Sequence, residues 1–299
     1  MTILEYKLTN DILCKMMFVK YPHLLKRLVS LILKIKLESI EEFEIINPEI
    51  PPEVIGDKFC RVDISMKVDG QRTVLEVQVE DEKDYPERSL YYWARDYSSA
   101  LSAGHDYILL PRTIIINIIA FKLFECEEFH SEFRPLEVTR HTLLTDKQVL
   151  HFFELCKLPE FFDATDELVL WLSLFKAKTE EDLKKIEKLG VPIMEQAIKA
   201  YRHVSATDEF KEIERLRARA RSNEAAAIRN ARNDERAKTQ VEVQAKMQAK
   251  MQAEADAKLA LIVINALKKN MTISDIVDLT GETQEKIEAV CKASKQSVS

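Results

Sequence analysis

Two alternating runs, Val62 to Val68 and Gln71 to Val79, flank the dipeptide Asp69-Gly70, and this stretch restricts the fold more tightly than any other. Asp-Gly between two segments of period-two hydrophobicity predicts a β-hairpin with a two-residue turn. With residues 69 and 70 as the loop, Val68 faces Gln71, and counting back sets Asp63 opposite Glu76 and Arg61 opposite Gln78. Directly opposed residues of an antiparallel pair share a face. One face therefore carries Arg61, Asp63, Ser65, Lys67, Arg72, Glu76 and Gln78. The other carries Val62, Ile64, Met66 and Val68 against Leu75, Val77 and Val79, an apolar surface suited to a core.

Two carboxylates directly across a ladder repel, at a cost of about a few tenths of a kcal/mol. A divalent cation between them removes the conflict, and hard oxygen ligands suit Mg²⁺ or Mn²⁺. A solvated strand face, with its charge balanced by Arg61, Lys67 and Arg72, accounts for the same residues. The hairpin geometry leaves both readings open.

Asp63 followed by Glu76-Val77-Gln78 in the next strand resembles the Asp…(Asp/Glu)-x-Lys core of the PD-(D/E)XK nuclease superfamily. More closely, the chain resembles the recombination-promoting nuclease, or transposase-like, branch. Its ordered features are an Asn-Asp…Lys…Phe helix, an Asp strand, a Glu-x-Gln strand, an Arg…Tyr-Tyr helix and a Gly…Tyr…Leu-Pro turn. The sequence supplies Asn10-Asp11, Lys15 and Phe18, then Asp63 and Glu76-x-Gln78, then Arg88, Tyr91-Tyr92, Tyr97, Gly104, Tyr107 and Leu110-Pro111. The resemblance spans residues 8 to 160 or thereabouts, and the ordered set carries it rather than any one motif.

The resemblance implies an α/β fold: a restriction-endonuclease-like mixed β-sheet flanked by helices. It also implies a metal-dependent DNA endonuclease of weak sequence specificity, linked to recombination, mobile elements or phage defence. Asp63 and Glu76, with the Val77 backbone carbonyl, would hold Mg²⁺, which Mn²⁺ can replace. Asp11 is an additional candidate ligand; its alternative is a first-turn acid favoured by the helix dipole. Gln78 stands where the superfamily usually has Lys. Being neutral it cannot act as a base, so its expected part is to position water or substrate. Arg88, Tyr92 and Arg95 form a basic and aromatic helix edge suited to a phosphodiester backbone, or else an ordinary surface. The competing function class is a catalytically inactive nuclease-like fold kept as a DNA-binding or regulatory module. A scaffold built on the C-terminal helix alone leaves the opposed carboxylates unexplained.

The totals narrow the choice. The 299 residues suggest one sizeable core plus a second unit. A net charge of −6 means that any DNA contact comes from a local patch. Only five glycines occur, and neither GxxxxGK[ST] nor GxGxxG can be written from them, so no nucleotide cofactor is expected. Five scattered Cys without CxxC spacing (14, 60, 126, 156 and 291) fit reduced thiols. The longest apolar stretch, Ile114 to Phe121, is too short to span a bilayer. A cytoplasmic protein without membrane contact is the expectation.

Four segments follow: a nuclease-like domain over 1–160, a helical extension over 161–207, a long charged and repetitive helix over 208–265, and a small helical unit over 266–299. Helix is expected over 9–36 with a break at Pro22, and strand over 40–46. A third helix is expected over 87–102, stopping at Gly104, with Leu90, Trp93 or Ala94, Tyr97 and Leu101 toward the sheet. Strands are expected over 112–124 and, at an edge, 129–139, then helices over 146–157, 164–176, 179–189 and 191–203. His130, His141 and His151 are too far apart in sequence to read as a ligand set; the acids of the loop over 80–86 read as solvated, with Glu80, which continues the carboxylate face, as the alternative contact to a second ion.

Between 208 and 269 there is neither Pro nor Gly. The arginines of its first part (215, 217, 219, 221, 229, 232 and 236) read as a solvated face, with DNA contact as the alternative. Val243, Met247, Met251, Ala255 and Leu259 step by four and so miss the 3.5-residue coiled-coil period. A helical spacer that self-associates weakly, giving a homo-oligomer through the C-terminal helices, is expected. The helix-turn-helix pattern after 266 carries Glu282, Glu285 and Glu288 against Lys286 and Lys292, a balance that favours packing over phosphate contact.

Overall fold

The computed structural model describes residues 2–46, 63–101, 104, 106–161 and 163–296. The chain divides into two compact units, residues 1–220 and 221–299.

In the first unit Asn10 caps helix α1 (Asp11–Lys20), its side chain accepting the Leu13 N–H at 2.9 Å. Pro22 then opens α2 (Pro22–Leu33), where its missing N–H costs nothing. The first strand is shorter than the expected 40–46: β1 (Phe43–Ile45) follows a 3₁₀ turn at Leu37–Ser39. The hairpin consists of β2 (Ile64–Val68) and β3 (Gln71–Gln78). Arg61, Val62, Cys60 and the proline-containing connection from 47 to 62 lie outside the described residues.

The register is the expected one, with Val68 opposite Gln71 and Ile64 opposite Leu75. Asp69 and Gly70 have φ of 47° and 73°, the two left-handed positions that a two-residue hairpin turn needs. The Asp69 carboxylate also accepts the N–H groups of Glu41 and Glu42 at 2.9 and 2.8 Å, fastening the turn to the segment that leads into β1.

Helix α3 (Tyr85–Ser99) starts two residues earlier than expected and ends before Gly104, which therefore does not cap it. Strand β4 (Thr113–Ile119) is buried along its whole length. Strand β5 (His130–Phe133) is the expected edge strand. The expected helix over 146–157 is instead strand β6 (Gln148–Glu154), followed by a single 3₁₀ turn. Its run Val-Leu-His-Phe-Phe inserts between β4 and β5 and is covered on both faces. Such a segment shows no amphipathic period by which a strand can be told from a buried helix.

Among the described residues the sheet has six strands in the order β1-β2-β3-β4-β6-β5, parallel where β3, β4 and β6 meet and antiparallel elsewhere. Helices α4 (Glu167–Lys176), α5 (Glu180–Glu187) and α6 (Pro192–Ala206) pack with α1 and α2 on one face. There Ile64, Met66, Leu75, Val77, Ile116 and Phe153 meet Phe18, Trp171 and Phe175. Val79, assigned above to this apolar face, falls beyond the end of β3 and is exposed.

The opposite face is covered by α3, over Val74, Ile115, Ile119 and Phe152. The helix is turned about one residue from the expected setting: Leu90 is exposed, while Tyr85 and Ser89 are buried. Polar fastenings decide that setting. The Trp93 indole N–H donates to the Thr113 carbonyl at 3.1 Å, and Arg72 grips Asp96 through both ends of its guanidinium. Hydrophobic periodicity cannot see such contacts.

Helix α7 (Asp208–Lys268) contributes residues to both units. In the second unit Leu259, Val263 and Ala266 of α7 pack with Ile276 of α8 (Ile273–Thr280) and Ile287 of α9 (Gln284–Gln296). Thr272 and Asp275 form a capping box on α8, and Gly281 closes it at φ 68°. No helix among the described residues is long and apolar enough to cross a membrane.

Candidate active site

The hairpin register brings Asp63 beside Glu76, and backbone hydrogen bonds fix the pair. The Asp63 N–H donates to Glu76 Oε1 at 3.1 Å, and the Val77 N–H donates to Asp63 Oδ2 at 2.7 Å. Just before β2 begins, a carboxylate thus takes the N–H of Val77. Glu76 is buried, and its neighbour across the parallel ladder is Asn117 of β4.

Asn117, the single polar residue inside an isoleucine run, organises the floor beneath α3. Its Oδ1 accepts the Tyr85 hydroxyl at 3.0 Å and the Ser89 hydroxyl at 3.2 Å, and its Nδ2 donates to the His151 carbonyl at 2.9 Å. These bonds set the part of α3 from which Arg88 projects. The Arg88 guanidinium lies 4.8 Å above the Tyr85 ring and pairs with Glu82. Its buried Nε has no hydrogen-bond partner among the described residues. Arg88 and Tyr92 are half-buried and Arg95 is exposed.

The electrostatics follow from burial. Desolvation pushes the Asp63 carboxyl up to about 7; the Val77 N–H opposes the rise, Asp11 adds to it, and Lys15 and Arg217 oppose it. Glu76 is held well above the usual carboxylate range, first by burial and then by the Asp63 charge. Arg88 counters that rise. Burial also lifts the Cys14 thiol, and the Asp63 and Asp11 charges lift it further.

Asp11 does not stand over the pair as an uncommitted acid. Both its oxygens bind the guanidinium of Arg217 in α7, with Nη2 to Oδ2 at 2.7 Å. Burial opposes ionisation of Asp11, but the Arg217 hydrogen bonds and charge outweigh it and keep its carboxyl below the usual range. Arg217 belongs to the segment read above as a solvated face. Its side chain is instead mostly enclosed. Nothing in the local pattern distinguishes it from its neighbouring arginines, because the partner lies 206 residues away.

Gln78 ends β3, and its Nε2 donates to the Glu80 carbonyl at 2.8 Å. Glu80 itself is exposed. His130 and His151, too distant in sequence to suggest a pair, meet across β5 and β6 with Nε2 to Nδ1 at 3.0 Å. The missed strand β6 hid that contact. Among the described residues no group of three or more His, Cys, Asp or Glu is arranged to hold a metal ion.

A mixed sheet flanked by helices, with an acid at the start of one hairpin strand and Glu-x-Gln at the end of the next, defines a nuclease-like α/β protein. The chain belongs to the PD-(D/E)XK nuclease family transposases, whose family model matches residues 8–231. That span runs past the expected nuclease-like domain, through α4, α5 and α6 and into α7. No curated protein and no solved structure matches the chain.

Proposed function

We propose that this protein is a metal-dependent DNA endonuclease that hydrolyses phosphodiester bonds with weak sequence readout. One observation carries the reading: Asp63 and Glu76 are held side by side by bonds to each other's backbone segments, in a chain of the nuclease family.

The donor set fits a divalent cation. Two hard carboxylates share a buried space in which each resists full ionisation, Glu76 partly through the Asp63 charge. A cation there would offset both the desolvation and the repulsion. Asp63 and Glu76, with the Val77 carbonyl, are the residues that would hold it, while Asp11 is engaged by Arg217. When bound, Mg²⁺ or Mn²⁺ supplies a Lewis acid that lowers the pKa of an attacking water and offsets charge on phosphorus.

The protein's own groups supply positioning. Gln78 orients water or substrate by hydrogen bonds, without acting as a base. Arg88 and Arg95 bind backbone phosphates, and Tyr92 offers a ring edge beside them. Water adds to phosphorus, one P–O ester bond breaks, and the departing oxygen receives a proton. The exposed Val243, Met247 and Met251 of α7 support self-association through the C-terminal helices. The transposase family description supports a recombination or mobile-element setting, and phage defence and a cytoplasmic location are proposed beside it.

The test is plasmid nicking by purified protein with Mg²⁺, Mn²⁺, Ca²⁺ or EDTA, run beside Asp63→Ala and Glu76→Ala checked for folding by circular dichroism. Cleavage that needs Mg²⁺ or Mn²⁺ and vanishes in both folded variants is the expected result. Cleavage that survives both substitutions places the chemistry elsewhere and ends this reading. A folded wild type that cuts neither plasmid, linear nor single-stranded DNA points to a binding or regulatory module. The neutral Gln78, held on the Glu80 carbonyl, favours that runner-up.

A further inference from the structure

Two residues with parts in the proposed reaction, Gln78 and Arg88, are both held by one short segment of the chain. Gln78 donates from Nε2 to the Glu80 carbonyl at 2.8 Å. Arg88 pairs through Nη1 with the Glu82 carboxylate. The segment turns at Lys83, whose φ is 65° and whose N–H donates to the Asp81 carboxylate at 2.9 Å. Glu80, Asp81, Glu82 and Asp84 are all exposed. The Arg88 guanidinium lies over the Tyr85 ring, and the Tyr85 hydroxyl donates to Asn117, the ladder neighbour of Glu76. Glu82 satisfies that guanidinium incompletely, since the buried Arg88 Nε has no hydrogen-bond partner among the described residues. A guanidinium presents its donors as a fork that two oxygens of one phosphate can take in parallel. The contact with Glu82 falls short of what a phosphate supplies.

We propose that Glu82 holds Arg88 in place of a backbone phosphate, so that the segment over 80–84 competes with DNA for the site until a phosphate displaces the carboxylate. The inference rests on the nuclease reading above and adds a regulation of the same site. The exchange is one of ion pairs, with no covalent step. Arg88 trades a carboxylate oxygen for phosphate oxygens, and the Glu82 side chain, already 53 % exposed, passes into water. As the segment moves off, Gln78 leaves the Glu80 carbonyl and turns to water or substrate. The neighbouring acids repel any strand that does not seat a phosphate on Arg88. The competitor therefore lowers affinity for all DNA and discriminates against misplaced contacts.

The experiment measures binding of a labelled DNA duplex in Ca²⁺ by fluorescence anisotropy, at low salt so that weak variants still titrate, and plasmid cleavage in Mg²⁺. The proteins are wild type, Glu82→Gln, Arg88→Gln, the double variant Glu82→Gln/Arg88→Gln and Glu87→Gln, each checked by circular dichroism. Glu87 is an exposed acid of α3, and its replacement removes the same charge while leaving the Glu82–Arg88 pair in place. Glu82→Gln should bind DNA about threefold more tightly or better, and Glu87→Gln should gain clearly less. The Glu82→Gln gain should disappear when Arg88→Gln is already present. In cleavage Glu82→Gln should lower KM and leave kcat unchanged, because a competitor is removed from ground state and transition state alike. A gain that persists at full size beside Arg88→Gln, or that Glu87→Gln matches, makes Glu82 a general negative charge and overturns the inference. So does binding by Glu82→Gln that is unchanged, weaker or absent. A wild type that binds DNA without cutting it ends the nuclease reading alone, and the affinity ratios still decide this one.

Discussion

Asp63 and Glu76 are tied together by a backbone bond, the Asp63 N–H donating to Glu76 Oε1 at 3.1 Å. This contact keeps a half-buried and a buried acid adjacent although their charges repel, and it makes the pair sensitive to both pH and cations.

Asp63 titrates at about 7 in the folded protein, against about 3.9 in an unfolded chain. Between those values the folded state binds more protons. The stabilisation from the protonated carboxyl is fully present below the unfolded value and is lost as pH rises through about 7. In EDTA, urea denaturation of wild type should therefore lose on the order of a few kcal/mol relative to Asp63→Asn between pH 5 and 8. A wild-type-minus-variant difference that stays flat over that range would contradict the assigned burial of the pair.

Added Mg²⁺ or Mn²⁺ should recover that lost stability at pH 8, because a ligand that binds only the folded state stabilises it by mass action. At a hundred times the dissociation constant the gain is about 2.7 kcal/mol. Thermal shift with and without cation measures it, and Asp63→Asn and Glu76→Gln should show much less of it. An equal shift in all three proteins would locate the cation elsewhere.

His151 has the opposite sign. Burial lowers it to about 4, so the folded state prefers the neutral ring in contact with His130. Its contribution is present above the unfolded value of about 6.5 and is lost as pH falls through about 4. His151→Phe keeps a ring in the stack on Phe153 and should remove up to about 3 kcal/mol of that acid sensitivity. Comparison of denaturation midpoints at pH 7 and 4.5 checks this. The variant and the wild type declining in parallel would count against it.

Asn117→Val leaves the Tyr85 and Ser89 hydroxyls without their shared acceptor in a buried layer. Each orphaned group costs about 1–3 kcal/mol, so a loss of about 2–5 kcal/mol is expected by chemical denaturation. Because these bonds seat α3, the variant should also weaken DNA binding measured in Ca²⁺. Unchanged stability would mean that the network contributes nothing net.

Arg217→Ala leaves Asp11 charged and partly enclosed near Asp63. A destabilisation of about 1–3 kcal/mol is expected, much of it absent when Asp11→Asn is already in place. A double-mutant cycle reads the coupling directly. Strictly additive effects would show that the bidentate pair carries no energy of its own.

The hairpin and its register were legible because the period of a strand is two and Asp69-Gly70 permits one turn. The alternation and the turn by themselves set Asp63 opposite Glu76. The helices after residue 164 were legible from capping residues and Pro or Gly boundaries. Strand β6 was not, since an apolar segment buried on both faces carries no period to read. With it went the His130–His151 contact. The setting of α3 was hidden too, because Ser89, Trp93 and Asp96 are held by polar partners on other strands.

Local chemistry thus settled the hairpin, the opposed acids, the long Pro- and Gly-free helix and the capped end unit, all of which depend on neighbours within a few residues. Burial and distant pairing settled the rest. Arg217 reaches Asp11 across 206 positions, Glu76 is buried at the end of its strand, and Asn117 takes the hydroxyls of Tyr85 and Ser89 from α3. Electrostatic and hydrogen-bonding energies depend on separation in space and on exclusion of water, and neither quantity is written in the order of residues along the chain.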